Sequence, residues 1–500
     1  MTPTRLEVHE RASPAAMRTR FLAALLLATV TPAAAQTVEP VNLKGANARI
    51  TVPQNWNGSV FLYAHGYTAD PRILAPIPDD FAKADPVLLP GLLAFVPPGY
   101  ATAVTTFRSV GWDVKDAIKD VENLRRYFVK RYGKPKHTYL WGHSEGGMIT
   151  ETVIEYFPST YDGAVPICGT GAGGRRLFDG EYDLRVLFDY TCRDVPAARF
   201  VCGLCSDGES RCVDDVDCPG GQRCDGTEPP APPEDGLSRE CTDFVLDHPE
   251  RFASVFGGGA FVTHATEPCL GGTTSSPEQA ARRDFLVRAS QLPANQIDSD
   301  LFFASVGLAE IVHRRTHDKH PWGNVGVSYA SPLLTAAEQA ALNAGVYRSD
   351  SDPSAVRYMR RFYEPRGRTR SKVITVHALD DGLVIPEHEE KYRQAFEAAG
   401  RSDQLVQFFT PGGEHCTNAY AFRPALDRVV AWVEQGQPPT AAAMNAGCGD
   451  CLAQSGPGPF GAKVAERRQK GAPVRTLVCT GEAGDCPDGA TCSTRKHRCR

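Results

Sequence analysis

The sequence predicts an α/β fold, a sheet flanked by helices and interrupted by a long insertion. Three observations carry this. Short β-like runs alternate with amphipathic helical runs from residue 49 to about 168. The same alternation resumes at residue 372 and continues to 434. Between the two stretches the pattern breaks, and Gly/Pro-rich segments and a cluster of cysteines take its place. Strands and helices in alternation give a layered arrangement, because a parallel strand is reached only by a crossover over the sheet face.

The elements follow in chain order. Residues 49–52, 60–64 and 101–107 read as the first strands. Residues 113–132 form a strongly amphipathic helix, with Val114, Ile118, Val121, Leu124 and Phe128 on one face. The strand 137–141 and the helix 148–157, which stops before Pro158, come next, followed by the strand 163–168. The insertion then spans 169–371 and includes the loop Glu228-Pro-Pro-Ala-Pro-Pro-Glu234. Inside it, helices are expected at 279–290, 301–316 and 336–344. The strand 372–377, helix 387–399, strand 405–409 and helix 422–434 complete the sheet. The expected domains are a leader at 1–35, a body at 36–440 holding the insertion, and a Cys-rich segment at 441–500.

Composition narrows the function. The net charge is −5 with acids and bases interspersed, so no basic patch argues for nucleic acid. Arg18 and Arg20 precede the apolar run 21–30, and Ala33-Ala34-Ala35 offers a cleavage site before Gln36. This is a secretory leader pattern, and its ten apolar residues are too few to span a bilayer. The expected location is secreted or periplasmic, with no membrane span. The 16 cysteines agree with export. Seven lie between Cys192 and Cys241 and six from Cys448 to Cys499, as disulfide frameworks do. Cys202-x-x-Cys205 and Cys448-x-x-Cys451 could also suggest zinc, but neither segment has the second pair a zinc ribbon needs. One repeat, Asp-Cys-Pro-x-Gly-x-x-Cys, occurs at 217–224 and 485–492. Asp214, Asp215 and Asp217 beside it lack a full calcium loop and read as a solvated acidic turn.

The chemistry is concentrated around Ser144 in Gly142-His143-Ser144-Glu145-Gly146, between a strand and a helix. Gly-x-Ser-x-Gly in that setting is a nucleophile elbow, a turn so sharp that small residues must flank the serine. A serine hydroxyl needs a base to take its proton, and the base needs a carboxylate to orient it. Two later strands lead into polar loops, one with Asp380-Asp381 and one with Glu414-His415. Open α/β sheets keep their sites at such strand ends. The chain order Ser, Asp, His is the one expected for this elbow.

Over about 45–168 and 372–435 the chain resembles an α/β-hydrolase of the secreted serine esterase type. His65-Gly66-Tyr67 resembles the family's oxyanion loop, Asp381-x-x-Val384 before Pro386 its acid loop, and the helix ending in Trp432-Val433-Glu434 its last helix. The resemblance implies Ser144 as nucleophile, His415 as base and Asp381, in preference to Asp380, as acid. It implies oxyanion donors at the backbone N–H groups of Tyr67 and Glu145. No metal or cofactor is implied. His377 lies in a strand and His388 starts a helix, so neither competes with His415.

The expected activity is hydrolysis of small-molecule or polymeric esters through an acyl-enzyme. A serine aminopeptidase on the same scaffold is the alternative, with Glu145 or acids of the insertion receiving a peptide amine. A non-catalytic binding protein is the third reading. His313, His317 and His320 share a helical spacing, but they sit with Arg314, Arg315 and Lys319 and read as an exposed basic stretch. The insertion is expected to form a lid, with Phe252, Phe256, Phe261, Phe302, Phe303 and Trp322 in its core or pocket. The C-terminal Cys-rich segment is expected to close on itself, to be removable, and to serve surface attachment or protection. Cys168 and Cys416 should both lie at the C-terminal edge of the sheet, so a bridge between them would fasten the histidine loop. Such a bridge resembles the way some secreted esterases hold that loop, with a cysteine directly beside the serine where this chain has His143. Cys192 and Cys269 are the other possible partners of Cys416.

Overall fold

The computed structural model describes residues 36–68, 92–213, 215–227, 229–248, 260–449, 451–455, 492–493 and 498–499. The leader at 1–35, Asp214, Phe252, Phe256 and most of the second repeat lie outside the described residues. The fold is α/β. A nine-stranded sheet runs in the order β1-β2-β4-β3-β5-β6-β10-β11-β12. The strands are β1 Thr37–Leu43, β2 Ala46–Val52, β3 Val60–Ala64, β4 Ala101–Thr105, β5 Thr138–His143 and β6 Gly163–Ile167. After the insertion, which holds a small sheet of β7 Gly203–Cys205, β8 Arg211–Cys212 and β9 Cys224–Thr227, come β10 Lys372–Ala378, β11 Leu405–Thr410 and β12 Leu452–Ser455. Pairing is parallel from β4 through β11 and antiparallel at both flanks.

The strand sequences explain the layering. All five residues of β3 are buried, as a strand covered on both faces requires. Successive side chains alternate between faces. Leu62 and Leu140 pack with helix α1 (Val114–Tyr132), helix α2 (Glu145–Tyr156) and the insertion. Phe61, Tyr63, Tyr139 and Trp141 pack on the other face, against the helix Phe422–Gln435. The hairpin joining β1 and β2 turns at Lys44 and Gly45, both at positive φ (58° and 100°). That is the geometry a two-residue hairpin loop needs.

The structure departs from the expected elements in several places, and the insertion also carries the unexpected helices Arg239–Asp247, Ala260–Leu270 and Pro353–Phe362 and its own small sheet. β1 is additional to the expected strands. Helix α3 (Gly174–Thr191) opens the insertion where a break in the pattern is expected. Residues 441–455 belong to the body: the helix Ala441–Cys448 packs with its core, and β12 pairs with β11. The body therefore extends past residue 440, because β11 would otherwise end the sheet as an uncovered edge.

Cysteine pairing organises the insertion. Cys192 joins Cys269 and Cys202 joins Cys241, tying α3 and the segment after it to later insertion helices. Cys205–Cys218 and Cys212–Cys224 cross-link the small three-stranded sheet. Cys448 pairs with Cys451.

Candidate active site

Ser144 follows β5 directly and precedes α2, with φ 56° and ψ −125°. A non-glycine residue held there is strained by about 1–3 kcal/mol, which the surroundings must offset. The flanking glycines show why the turn closes. A Cβ on Gly142 would lie 2.4 Å from the Gly146 carbonyl oxygen, and one on Gly146 would lie 2.1 Å from that of Ala64. The Ser144 N–H donates to the Ile167 carbonyl at 3.0 Å, which fixes the turn to β6.

The structure brings Ser144, His415 and Asp381 together. Ser144 Oγ lies 2.8 Å from His415 Nε2, and His415 Nδ1 lies 2.7 Å from Asp381 Oδ2. The second carboxylate oxygen accepts the Val384 N–H at 2.8 Å. Asp381 and His415 are 2 % and 4 % exposed, whereas Ser144 keeps partial access to solvent. Asp380 is exposed, and the carboxylate bonded to His415 is that of Asp381. His377 sits beneath the loop that carries Asp381, donating from Nε2 to the Val384 carbonyl at 2.6 Å. Burial opposes its charging, but the Glu389 and Asp381 carboxylates raise its pKa overall.

Cys168 and Cys416 are bonded to each other with Cα atoms 5.6 Å apart. Cys192 and Cys269, the other possible partners, pair together. Cys416 immediately follows His415, so the bridge anchors the loop that carries His415 to the end of β6.

The His65-Gly66-Tyr67 loop lies against the turn at Ser144. A Cβ on Gly66 would meet His143 Nε2 at 2.9 Å and the His143 carbonyl oxygen at 3.3 Å. His143 is held neutral: burial, reinforced by His415 and His65, pushes its pKa down to about 3. Its Nδ1 shares a hydrogen bond of 2.7 Å with the Tyr63 hydroxyl. Tyr67 turns its hydroxyl away from the serine and donates it to Glu310 of the insertion at 3.0 Å. The Glu145 side chain is buried, and its Oε1 accepts the Asp113 N–H at 2.8 Å. Burial, with Glu310 and Asp113 adding, lifts that carboxyl well above the usual range. Glu145 therefore ties the elbow to the start of α1 and offers no charge to a substrate.

Other acids in the insertion behave similarly. Glu181 on α3 and Asp300 are buried, and burial together with Asp381 pushes both pKa values well up. Phe302, Phe303 and Trp322 are buried in the insertion's own core, and Phe303 also packs edge-on against Tyr67. The stretch expected to be exposed and basic is partly buried instead: Arg315 pairs with Glu310, and the His313 side chain is covered, because both face acids and carbonyls of the fold. His313 bridges Asp318 and the Leu237 carbonyl, His320 contacts the Asp350 carbonyl, and His317 is exposed.

Three insertion residues beside the site carry no sequence signal. Asn295, Gln296 and Glu310 sit in a stretch with no motif, and only the folded chain brings them to the catalytic loops.

No family model and no curated protein matches the chain. Among solved structures it is similar to feruloyl esterase B from Aspergillus oryzae, at 15% identity, 81% of this chain, 82% of that one and a TM-score of 0.37. It is similar to another Aspergillus oryzae esterase at 14% identity, 81% and 80% coverage and a TM-score of 0.39. A proline iminopeptidase from Mycobacterium smegmatis aligns at 12% identity, 80% and 98% coverage and a TM-score of 0.33.

Proposed function

We propose that the chain is an exported serine hydrolase of the α/β-hydrolase type that cleaves carboxylic esters. One observation carries the reading: the unbroken line from Ser144 through His415 to buried Asp381, at 2.8 and 2.7 Å, where the sheet ends. In this reading His415 takes the Ser144 proton as Oγ attacks the ester carbonyl, and Asp381 holds the imidazole in the correct tautomer. The N–H groups of Tyr67 and Glu145 receive the developing oxyanion. The protonated His415 then gives its proton to the departing alcohol. Water, activated by the same histidine, releases the acid and regenerates the serine.

Export is supported by the six disulfides among the described residues, since such pairs persist in oxidising compartments. No described helix is long and apolar enough to cross a membrane. The aminopeptidase alternative is disfavoured, because Glu145 is committed to Asp113 and the Glu181 and Asp300 carboxyls are buried with raised pKa values. A purely binding role would leave the strained serine without a purpose.

The test is Ser144→Ala assayed on a short p-nitrophenyl ester and on an aminoacyl-p-nitroanilide. Ester turnover should fall at least about ten-thousandfold with unchanged thermal unfolding. Wild-type preference for the anilide would favour the peptidase, and near-normal ester turnover by the variant would sink the assignment.

A further inference from the structure

A single helical run of the insertion touches every loop of the site. It spans residues 297–315 and alternates α turns with two π turns, Phe303–Gly307 and Ile311–Arg315. π turns inside helices recur at functional sites. Its far end reaches the oxyanion loop, where Glu310 accepts the Tyr67 hydroxyl at 3.0 Å and the Trp112 N–H at 2.9 Å. Its leading corner reaches the other two loops. Asn295 Nδ2 donates to Glu414, the residue before His415, at 2.6 Å. Gln296 grips the acid loop on both sides of Asp381. Its Oε1 accepts the Gly382 N–H at 2.7 Å, and its Nε2 donates to the Asp380 carbonyl at 2.7 Å. The two partners fix the amide's orientation, since one can only donate and the other only accept. Gln296 is 4 % exposed, so water does not replace it readily.

We propose that Gln296 is a positioning residue for the triad: its carboxamide holds the loop that aims Asp381 at His415. This rests on the serine hydrolase reading above. It assigns the insertion a role besides substrate selection. An insertion tied to the acid, histidine and oxyanion loops cannot lift away as a free cap without releasing all three. Within the loop the Asp381 N–H donates to the Ala378 carbonyl at 3.4 Å, and His377 Nε2 donates to the Val384 carbonyl at 2.6 Å. The Val384 N–H holds one Asp381 oxygen, but the peptide groups on either side of Asp381 are held by the insertion.

The experiment compares wild type with Gln296→Met, which keeps the side chain's length, and with Gln296→Ala. One portion of each is titrated to completion with a phosphonate that traps active serine, which counts the competent sites. kcat and KM per competent site are measured on untreated portions with p-nitrophenyl acetate and p-nitrophenyl octanoate. Both variants should lose about tenfold to a hundredfold in kcat per titrated site, as a small misplacement of a catalytic group does. KM should stay within about threefold, and the loss should be the same for both esters, because positioning acts on the chemical step. Unchanged kcat per site overturns the proposal, as does a loss that depends on acyl length or falls on KM alone. If wild type is not trapped at Ser144, the hydrolase reading fails and this inference falls with it; if it is trapped and the variants turn over normally, only this inference falls.

Discussion

Asp380 and Asp381 are neighbours in sequence with opposite fates. Asp381 is buried against His415, while Asp380 is exposed and its carbonyl accepts from Gln296. Asp381→Asn should therefore lower kcat by about ten-thousandfold, since an amide favours the wrong imidazole tautomer, and Asp380→Asn should leave it within about threefold. Steady-state rates for the two variants decide this, and equal losses would show the loop is misassigned. Asp113 makes a second residue-scale prediction. Burial lifts its pKa from 3.8 to about 7, against the pull of Ser109 and Arg315 and with help from Asp116 and Asp120. Folded protein thus keeps a proton that the unfolded chain releases near 3.8, and the stability linked to it is lost as pH rises through that window to about 7. Melting temperatures at pH values from about 5 to about 7 should fall less steeply in Asp113→Asn than in wild type. A slope equal to that of wild type would remove Asp113 from the account. Ser144 was legible because an elbow is a local pattern. His415 and Asp381 were legible because strand ends mark where such loops emerge, although the choice of Asp381 over Asp380 needed the family resemblance. Gln296 and Glu310 were not, because a polar side chain in an insertion shows no target until the chain has folded.

At the scale of elements, legibility followed hydrophobic contrast. α1 has one apolar face and one charged face, so its span of 114–132 was nearly complete in the sequence. α3 buries Arg175, Arg176, Asp179, Glu181, Asp183 and Arg185 along with its apolar residues. Those charges erase the periodicity by which a helix is recognised, and the glycines at its start read as loop. Arg185 shows how such a charge is accommodated: it donates to the Gly236 carbonyl at 2.7 Å and pairs with Asp189. The Cys168–Cys416 bridge joins two elements 248 residues apart in sequence. Replacing both cysteines with alanine should destabilise the protein by about 2–4 kcal/mol, the usual worth of a bridge closing a long loop. Because Cys416 adjoins His415, kcat should drop as well while KM changes little. Denaturant unfolding and steady-state kinetics on the double variant test both parts. A loss of stability with full kcat would make the bridge a staple for the fold and remove its role in holding the base.

At the scale of the whole molecule, the body of the fold runs past residue 440. Composition suggested a boundary near residue 440, because Pro438-Pro439 precedes a local set of cysteines. A strand of only four residues, Leu452–Ser455, is too short to stand out in a Cys-rich segment, and so the edge of the sheet was missed. In the folded chain Met444, Cys448 and Cys451 are buried in the same core as Trp141 and Phe408. β12 pairs along β11 from Val406 to Phe409, and β11 runs straight into the loop that carries His415. Ending the chain after Thr440 removes that cover. It exposes the backbone of β11 as an unprotected apolar edge, a template for aggregation. It also deletes Met444 and opens the core that Met444 covers, a loss of about 2 kcal/mol before the lost β12 hydrogen bonds are added. Ending the chain after Ser455 keeps both. The shorter protein should melt at least about 5 °C below the longer one and aggregate on heating, while the longer one turns over a small soluble ester at the full-length rate. Thermal unfolding and kcat of the two truncated chains, purified side by side, make the comparison. Equal melting temperatures would place the boundary of the body back at residue 440.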